Sequence, residues 1–165
     1  IKKSIDKKRF IWYNIVTKEK GVISMRLNFD MDGTIADLYA VDEWLPKLRA
    51  EDPSPYEQAR PLVNMARLAK ALNKATKNGN EIAIISWGSK TGSAEYLEAT
   101  RRAKEKWLAK HLPSVKRTQI TVVEYGTPKS TLGKGVLFDD EERNRNEWGK
   151  GAYTPEKIFE ILASL

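Results

Sequence analysis

One stretch, from Leu27 to Asp37, constrains the fold more than any other part of the chain. It reads Leu-Asn-Phe-Asp-Met-Asp-Gly-Thr-Ile-Ala-Asp, an apolar run that stops abruptly at a polar turn. This pattern predicts a buried strand followed by a tight turn, in which Gly33 lets the backbone change direction sharply. Ligands of open parallel sheets bind in the crevice outside the carboxyl ends of the strands. We therefore expect Asp30 and Asp32 to project into such a crevice.

Two other structures can contain an Asp-x-Asp-Gly pattern. EF-hand calcium loops begin in this way, but they need Gly at the sixth position and Glu at the twelfth. Counted from Asp30, those positions hold Ile35 and Val41, so the pattern does not predict an EF-hand. The second is an acidic turn that merely connects a strand to a helix and is solvated.

The rest of the chain alternates helical patterns with short apolar runs. Helical spacing covers residues 35–49, a segment from 56 or 61 to 77, residues 93–111 and a closing segment in which Thr154 can cap the helix. Further strands are predicted at 82–86, 120–123 and 135–138. Strands that alternate with helices form parallel sheets with right-handed crossovers. The sequence therefore predicts an α/β fold: a doubly wound, Rossmann-like parallel sheet with helices on both faces.

Polar residues follow each of these further strands. Ser86 ends the first of them, Lys129 lies beyond the second, and Asp139 and Asp140 follow the third. Because the carboxyl ends of neighbouring parallel strands lie at one edge of a sheet, these side chains could share a crevice with the acidic turn. For Ser86 the alternative is a serine that only caps the next turn. For Lys129 it is a solvated lysine, with Lys134 as the competing site residue.

Charge and composition exclude several functional classes. The net charge is +7, but residues 1–24 hold seven Lys/Arg against two Asp/Glu, so the remaining residues carry only about +2. A body with so little charge does not require a polyanionic partner. The sequence contains no cysteine, which excludes disulfides and cysteine-based catalysis, and no stretch has the length and apolarity of a membrane span. We expect a cytoplasmic protein without a membrane partner.

Residues 1–24 allow two interpretations. They are either a basic N-terminal extension before a domain that starts near Met25, or a structured segment, since residues 9–17 are rich in strand-forming side chains. In both interpretations residues 25–165 form the main domain.

The motifs and their order resemble those of the haloacid-dehalogenase-like (HAD) superfamily of phosphotransferases. Asp30-Met31-Asp32-Gly33-Thr34 is similar to the first motif of that family, Ser86 to the second, Lys129 to the third and Asp139-Asp140 to the fourth. The resemblance covers residues 25–148. It implies a HAD-like fold with a small cap, inserted at about residues 38–60, that forms a pair of short helices over an open crevice.

The resemblance also implies a phosphomonoesterase with an aspartyl-phosphate intermediate. Asp30 would attack phosphorus, and Asp32 would protonate the leaving oxygen and later deprotonate water. Mg²⁺ would be bound by Asp30, the main-chain carbonyl of Asp32 and one residue of the final pair, with Asp140 favoured over Asp139. Four residues would contact the phosphate group: Thr34, Ser86, Trp87 and Lys129.

In its details the chain resembles the 5'-nucleotidase and deoxyribonucleotidase branch, including small phage and prophage proteins. The similarity lies in the spacing of residues 126–140 and in a Lys-Trp-Leu to Leu-Pro stretch at residues 106–113, although the gap between Lys and Trp differs. The cap is much shorter than in the larger deoxyribonucleotidases. This resemblance implies a nucleotide as substrate, and four aromatic residues could stack on its base: Tyr39, Trp44, Tyr56 and Trp87.

Two other functions are compatible with the same motifs. One is a phosphatase that processes 3'-phosphorylated ends of nucleic acid, and the other is a binding module that has kept the fold without catalysis. The basic residues of the third predicted helix, which include Lys104 and Lys106, are expected to form a solvated face of that helix.

Overall fold

The computed structural model describes residues 24–115 and 119–165. Apart from Ser24, the N-terminal segment with its two interpretations lies outside the described residues. The described strands are β1 (Arg26–Phe29), β2 (Ala36–Asp37), β3 (Arg60–Pro61), β4 (Glu81–Trp87), β5 (Ile120–Val123), β6 (Val136–Phe138) and β7 (Ala152–Tyr153). The described α-helices are α1 (Trp44–Arg49), α2 (Ser54–Gln58), α3 (Met65–Lys77), α4 (Ala94–His111), α5 (Glu142–Trp148) and α6 (Ile158–Ala163). Short 3₁₀ helices are present at Leu38–Ala40, Lys129–Thr131 and Pro155–Lys157.

Five of the strands form one parallel sheet in the order β5-β4-β1-β6-β7. In the central strand β1, Leu27 lies opposite Ile82 of β4 on one side and opposite Val136 of β6 on the other. The chain therefore winds outward from β1 in both directions, and the crevice at the switch point lies between β1 and β6. This topology confirms the predicted doubly wound α/β fold.

Helices cover both faces of the sheet. Because successive residues of a strand point to opposite faces, β1 contributes to two different environments. The main hydrophobic core contains residues of β1, α3, α4 and α6, among them Leu27, Phe29, Leu68, Leu72, Trp107, Leu108, Ile158 and Ile161. On the other face, Asn28 and Trp148 of α5 lie against Gly133, and Nε1 of Trp148 donates to the carbonyl of Gly135 (3.0 Å).

Side-chain caps fix the starts of the two long helices. The Asn64 side chain accepts a hydrogen bond from the N–H of Arg67 (2.9 Å) at the start of α3, and Ser93 accepts one from the N–H of Tyr96 (3.1 Å) at the start of α4. The prediction of a helix over residues 93–111 is thereby confirmed. Thr154, predicted as a cap, precedes a 3₁₀ helix and makes no capping hydrogen bond through its side chain.

The predicted helix over residues 35–49 is wrong in its first half. Ala36–Asp37 forms β2, which pairs with β3 so that Ala36 lies opposite Pro61, and α1 begins only at Trp44. The N–H groups of residues 34–36 all donate to the carbonyl of Met31 (2.9–3.1 Å). The turn after β1 therefore uses the donors that a continuous helix would need.

Residues 38–60 contain the two short helices α1 and α2. The Tyr56 ring of α2 is buried with Leu38, Leu48 and Ala103, so this cap packs against α4. β3, β7 and α5 have no counterpart among the predicted elements. Among the helices of the described residues, none has the length and apolar character needed to cross a membrane.

Candidate active site

The turn after β1 places acidic residues at the carboxyl edge of the sheet. The N–H of Asp30 donates to the carbonyl of Phe138 on β6 (2.9 Å), so the neighbouring strand still holds the chain where the turn begins. Gly33 follows with a φ of +75°, and its N–H donates to the carbonyl of Ala36 (2.9 Å). A Cβ atom on Gly33 would lie 2.2 Å from Oδ2 of Asp140. Glycine is therefore the residue that both the backbone conformation and the nearby carboxylate require.

Three carboxylates from the ends of β1 and β6 meet at this edge. Asp30, Asp139 and Asp140 each present an oxygen, and these oxygens lie within 4.8 Å of one another. Nζ of Lys129 lies 2.7 Å from Oδ1 of Asp30 and 2.6 Å from Oδ2 of Asp139. Burial opposes the charge of Lys129, but the two carboxylates outweigh it and raise the lysine pKa above its ordinary value. Lys129 therefore offsets part of the negative charge, whereas the competing candidate Lys134 is exposed.

The Asp139 carboxylate is occupied by contacts within the protein. It is fully buried and accepts hydrogen bonds from Lys129 (2.6 Å), from Nδ2 of Asn144 (3.1 and 3.2 Å) and from the N–H of Glu141 (2.9 Å). With both oxygens bonded in this way, Asp139 holds Lys129 in place and is less available to a ligand.

Asp140, in contrast, lies in the wall of a cavity. The fully buried Thr34 hydroxyl accepts a hydrogen bond from the N–H of Asp140 (3.1 Å) and donates one to its Oδ1 (3.3 Å). Thr34, which the sequence predicts to contact phosphate, positions Asp140 through these bonds. Burial, together with repulsion from Asp30 and Asp139, raises the pKa of Asp140 to about 7. A bound cation would relieve that repulsion.

Asp32 is bonded to a lysine that the sequence pattern assigned to solvent. Nζ of Lys104, on α4, donates to Oδ2 of Asp32 (2.6 Å), to Oγ of Ser86 (2.7 Å) and to the carbonyl of Trp87 (2.6 Å). The Lys104 side chain is fully buried, so its expected place on a solvated face is wrong. Burial raises the pKa of Asp32 above its ordinary value, although the charge of Lys104 opposes the shift.

A signal for the burial of Lys104 was present in the sequence. Lys104 precedes Trp107 by three residues and Leu108 by four, so all three side chains lie on one face of α4. Trp107 and Leu108 are core residues, which places Lys104 on the buried face as well.

Ser86 and Trp87, which the sequence predicts to contact phosphate, lie at different places relative to the cavity. Ser86 is fully buried, and its hydroxyl oxygen accepts from Lys104 behind the cavity wall. Trp87 lies in the wall, but its Nε1 donates to the carbonyl of Thr127 (2.8 Å) and its ring centroid lies 5.4 Å from Nζ of Lys129. The side chain of Trp87 thus offers the cavity an aromatic surface, and its hydrogen-bond donor is already used.

A cavity of about 420 Å³ opens beside the acidic cluster. Its charged end contains Asp30, Asp32, Lys129 and Asp140. Much of the remaining wall comes from the cap, the end of β4 and the loop after β5, and consists of Leu38, Tyr39, Trp44, Leu45, Leu48, Tyr56, Trp87 and Tyr125. The cavity therefore combines a polar, charged end with an aromatic and aliphatic wall.

The fold brings together the residues that the sequence motifs singled out at the ends of β1 and β6. A scan against models of known protein families gives no match for this chain, and a search among curated proteins finds no significant relative. The geometry of the site is therefore the observation from which its function is inferred.

Proposed function

We propose that this protein is a magnesium-dependent phosphomonoesterase of the HAD kind, which acts on a small phosphate ester and most favourably on a nucleotide. The observation that carries the proposal is the meeting of Asp30, Asp139 and Asp140 with Lys129 beside a cavity. A solvated acidic turn would need neither a buried lysine nor a second acidic pair from another strand. The arrangement supports a site where a carboxylate reacts with an anionic group.

The acidic cluster fits a divalent cation that is bound through oxygen atoms. Mg²⁺ prefers such ligands, and Asp30 and Asp140 would hold it together with the main-chain carbonyl of Asp32. The raised pKa of Asp140 supports this assignment, because after burial its main causes are the negative charges of Asp30 and Asp139. Bound Mg²⁺ would supply the positive charge that allows a phosphate dianion to approach the carboxylates.

In the proposed reaction, a carboxylate oxygen of Asp30 attacks phosphorus, and the bond between phosphorus and the ester oxygen breaks. Asp32 donates a proton to the leaving oxygen, so the products are an alcohol and phosphorylated Asp30. Water then attacks the phosphorus of this intermediate, Asp32 accepts a proton from the water, and inorganic phosphate leaves. Lys129, 2.7 Å from Asp30, orients the attacking carboxylate and stabilises negative charge on the phosphoryl group.

The size and wall of the cavity support a substrate with a flat apolar group. Its volume of about 420 Å³ falls within the range of roughly 300–1,000 Å³ that is usual for small-molecule sites. Tyr39 and Trp44 pack edge to face with their ring centroids 5.1 Å apart, and Trp87 and Tyr125 form a second pair at 4.8 Å. A nucleobase could pack against either pair while its phosphate reaches Asp30.

One observation favours the 3'-phosphorylated end of a nucleic acid as a second candidate substrate. Tyr125 is 45% exposed at the cavity, and Nζ of Lys90 lies 5.9 Å from its ring centroid. Cζ of Arg143 lies 5.9 Å from the ring centroid of Trp87. Aromatic rings beside cations are typical of surfaces that bind single-stranded nucleic acid.

A substrate panel tests the proposal. The purified protein is assayed with Mg²⁺ against nucleoside monophosphates, sugar phosphates and 3'-phosphorylated oligonucleotides. We expect turnover of a nucleotide and loss of that turnover in Asp30→Asn. Asp42→Asn, which removes an exposed carboxylate of the cap outside the cavity wall, is the matched control and should remain active.

The outcomes separate the candidate functions. Preference for the oligonucleotide, with affinity that falls steeply as salt increases, would favour the nucleic-acid substrate. Turnover that persists in Asp30→Asn would contradict the assigned nucleophile. If no substrate of the panel is turned over, the binding module without catalysis becomes the better explanation.

A further inference from the structure

Lys104 is a buried charged residue for which the proposed reaction has no assigned task. Its ammonium group has three protons, and the structure provides an acceptor for each: Asp32, Ser86 and the carbonyl of Trp87. The distances from Nζ to these three oxygen atoms, 2.6 to 2.7 Å, are short for N–H···O hydrogen bonds, as expected because the ammonium donor is charged. The ammonium is therefore held in a single position.

The surroundings of Lys104 keep it in that position. The Tyr56 ring of the cap lies over the ammonium, with its centroid 4.7 Å from Nζ. One turn further along α4, Nε1 of Trp107 donates to the carbonyl of Ala59 (2.7 Å), which ties the same helix face to the end of the cap. The cap and β4 thus both contact the face of α4 that carries Lys104.

Lys104 is well placed to act on Asp32 and poorly placed to act on a substrate. Asp32 lines the cavity, whereas Lys104 is not among the described residues that do. Its bond to Oδ2 of Asp32 leaves Oδ1 as the oxygen that can exchange a proton with a group in the cavity. Because the Ser86 oxygen accepts from Lys104, the Ser86 hydroxyl proton points away from Nζ of Lys104.

We propose that Lys104 is a positioning residue of this reaction, which orients Asp32 for proton transfer to the leaving group. The inference rests on the proposed phosphatase function. In the step concerned, the bond between Asp30 and phosphorus forms, the ester bond breaks, and the proton on Oδ1 of Asp32 moves to the leaving oxygen. Lys104 keeps its three protons throughout, so it does not itself take part in the transfer.

Esters with different leaving groups distinguish this task from a general structural one. An alkyl ester, such as a nucleoside 5'-monophosphate, expels a basic oxygen and depends strongly on protonation, whereas 4-nitrophenyl phosphate expels a weakly basic one and depends on it little. Lys104→Met keeps the aliphatic stem and removes the ammonium. The comparison uses kcat/KM, which covers the steps up to departure of the leaving group and excludes the later hydrolysis of phosphorylated Asp30 that both esters share. We expect kcat/KM on the best alkyl ester to fall about 100-fold, the loss that a displaced catalytic group can cause, and kcat/KM on 4-nitrophenyl phosphate to fall less than about tenfold.

Lys106→Met is the matched control, because Lys106 lies on the same helix with an exposed side chain that pairs with Glu57 (3.0 Å). It should leave the ratio of the two kcat/KM values unchanged. Asp32→Asn should change the ratio in the same direction as Lys104→Met. The double variant Asp32→Asn/Lys104→Met should match Asp32→Asn on both esters, since a residue that acts only through Asp32 has no further effect once that carboxylate is gone.

The double variant also covers the case in which Lys104→Met does not fold. It removes both charges of the buried pair, so no unpaired charge is left behind, and comparison with Asp32→Asn alone still tests the inference. Equal losses on both esters in Lys104→Met, or a double variant clearly less active than Asp32→Asn, would overturn the positioning role while the phosphatase function stands. If the unchanged protein hydrolyses neither ester with Mg²⁺, the proposed function itself fails.

Discussion

Replacing Gly33 with alanine tests the close approach between the turn after β1 and the Asp140 carboxylate. Gly33 has a φ of +75°, and a residue with a side chain is less stable in that conformation by about 1–2 kcal/mol. The added Cβ would also lie 2.2 Å from Oδ2 and 2.6 Å from Cγ of Asp140, and 2.9 Å from Cε2 of Tyr39. The two distances to Asp140 are far shorter than a normal contact, so either the Asp140 side chain or the turn must move.

Gly126 provides a control. It also has a positive φ, of +87°, in a turn closed by a hydrogen bond from the N–H of Thr127 to the carbonyl of Glu124 (3.2 Å), and its added Cβ would have no atom within 4 Å. Gly126→Ala should therefore lower the free energy of unfolding by about 1–2 kcal/mol from backbone conformation alone. Gly33→Ala should lose that amount plus about 1–3 kcal/mol from overpacking. A displaced Asp140 should also weaken Mg²⁺ binding by about 10–100-fold, as loss of a group that orients metal ligands does.

Urea unfolding of both variants measures the two stability losses, and calorimetric titration with Mg²⁺ measures the affinity. Equal stability losses, together with unchanged Mg²⁺ affinity in Gly33→Ala, would refute the contact between Gly33 and Asp140. A larger loss in Gly33→Ala without any change in affinity would retain the contact and remove Asp140 from the proposed cation site.

Three further predictions concern charges at the site and in the cap. Lys129→Met leaves buried carboxylates unpaired and should lower the free energy of unfolding in urea by about 3–5 kcal/mol, whereas Lys134→Met, at an exposed lysine, should change it by less than about 0.5 kcal/mol. The pKa of Asp140 is raised from 3.8 to about 7 in the metal-free fold, so the folded protein binds the carboxyl proton more tightly than the unfolded chain does. The contribution of this proton to folding stability is complete below pH 3.8 and is lost as the pH rises through 7. Mg²⁺ should therefore raise the melting temperature more at about pH 8 than at about pH 5, and scanning fluorimetry of Asp140→Asn should show no such difference. Glu51 has a φ of +58°, and its carboxylate accepts hydrogen bonds from the N–H (2.9 Å) and Oγ (2.8 Å) of Ser93. Glu51→Gly and Glu51→Ala both lose these bonds, but only alanine is strained at this φ. Glu51→Gly should therefore melt at a higher temperature than Glu51→Ala, with a free energy of unfolding about 1–2 kcal/mol larger.

The sequence predicts those elements whose formation depends on local pattern. The apolar runs of β1, β4, β5 and β6 and the capped helix α4 are recognisable because neighbouring residues determine them. The helix predicted over residues 35–49 fails for the opposite reason. Leu38 and Val41 have helical spacing, but a 3₁₀ helix satisfies the same spacing, and β2 forms only because Pro61, far along the chain, lies opposite Ala36.

The candidate site shows the same difference between features that the sequence pattern predicts and features that depend on contacts between distant parts of the chain. Asp30, Lys129 and the final acidic pair could be predicted to meet because strand order alone brings their backbones to one edge. The contacts of Thr34 and Ser86 could not, since they depend on which side chains fill the space behind the cavity. Periodicity along α4 places Lys104 on the buried face, but it gives no indication that Asp32 is the partner.

The two carboxylates of the turn after β1 are each bonded to a different buried lysine. Lys129, between β5 and β6, bonds to Asp30, and Lys104, on α4, bonds to Asp32. Apolar side chains of similar volume often stabilise a fold as well as a buried ion pair does, so stability alone does not account for two such pairs at one turn. What the pairs do provide is a fixed orientation for each carboxylate at the same cavity. In the proposed reaction the two carboxylates have different tasks, attack by Asp30 and proton transfer by Asp32, and separate cationic partners would hold each carboxylate for its own task.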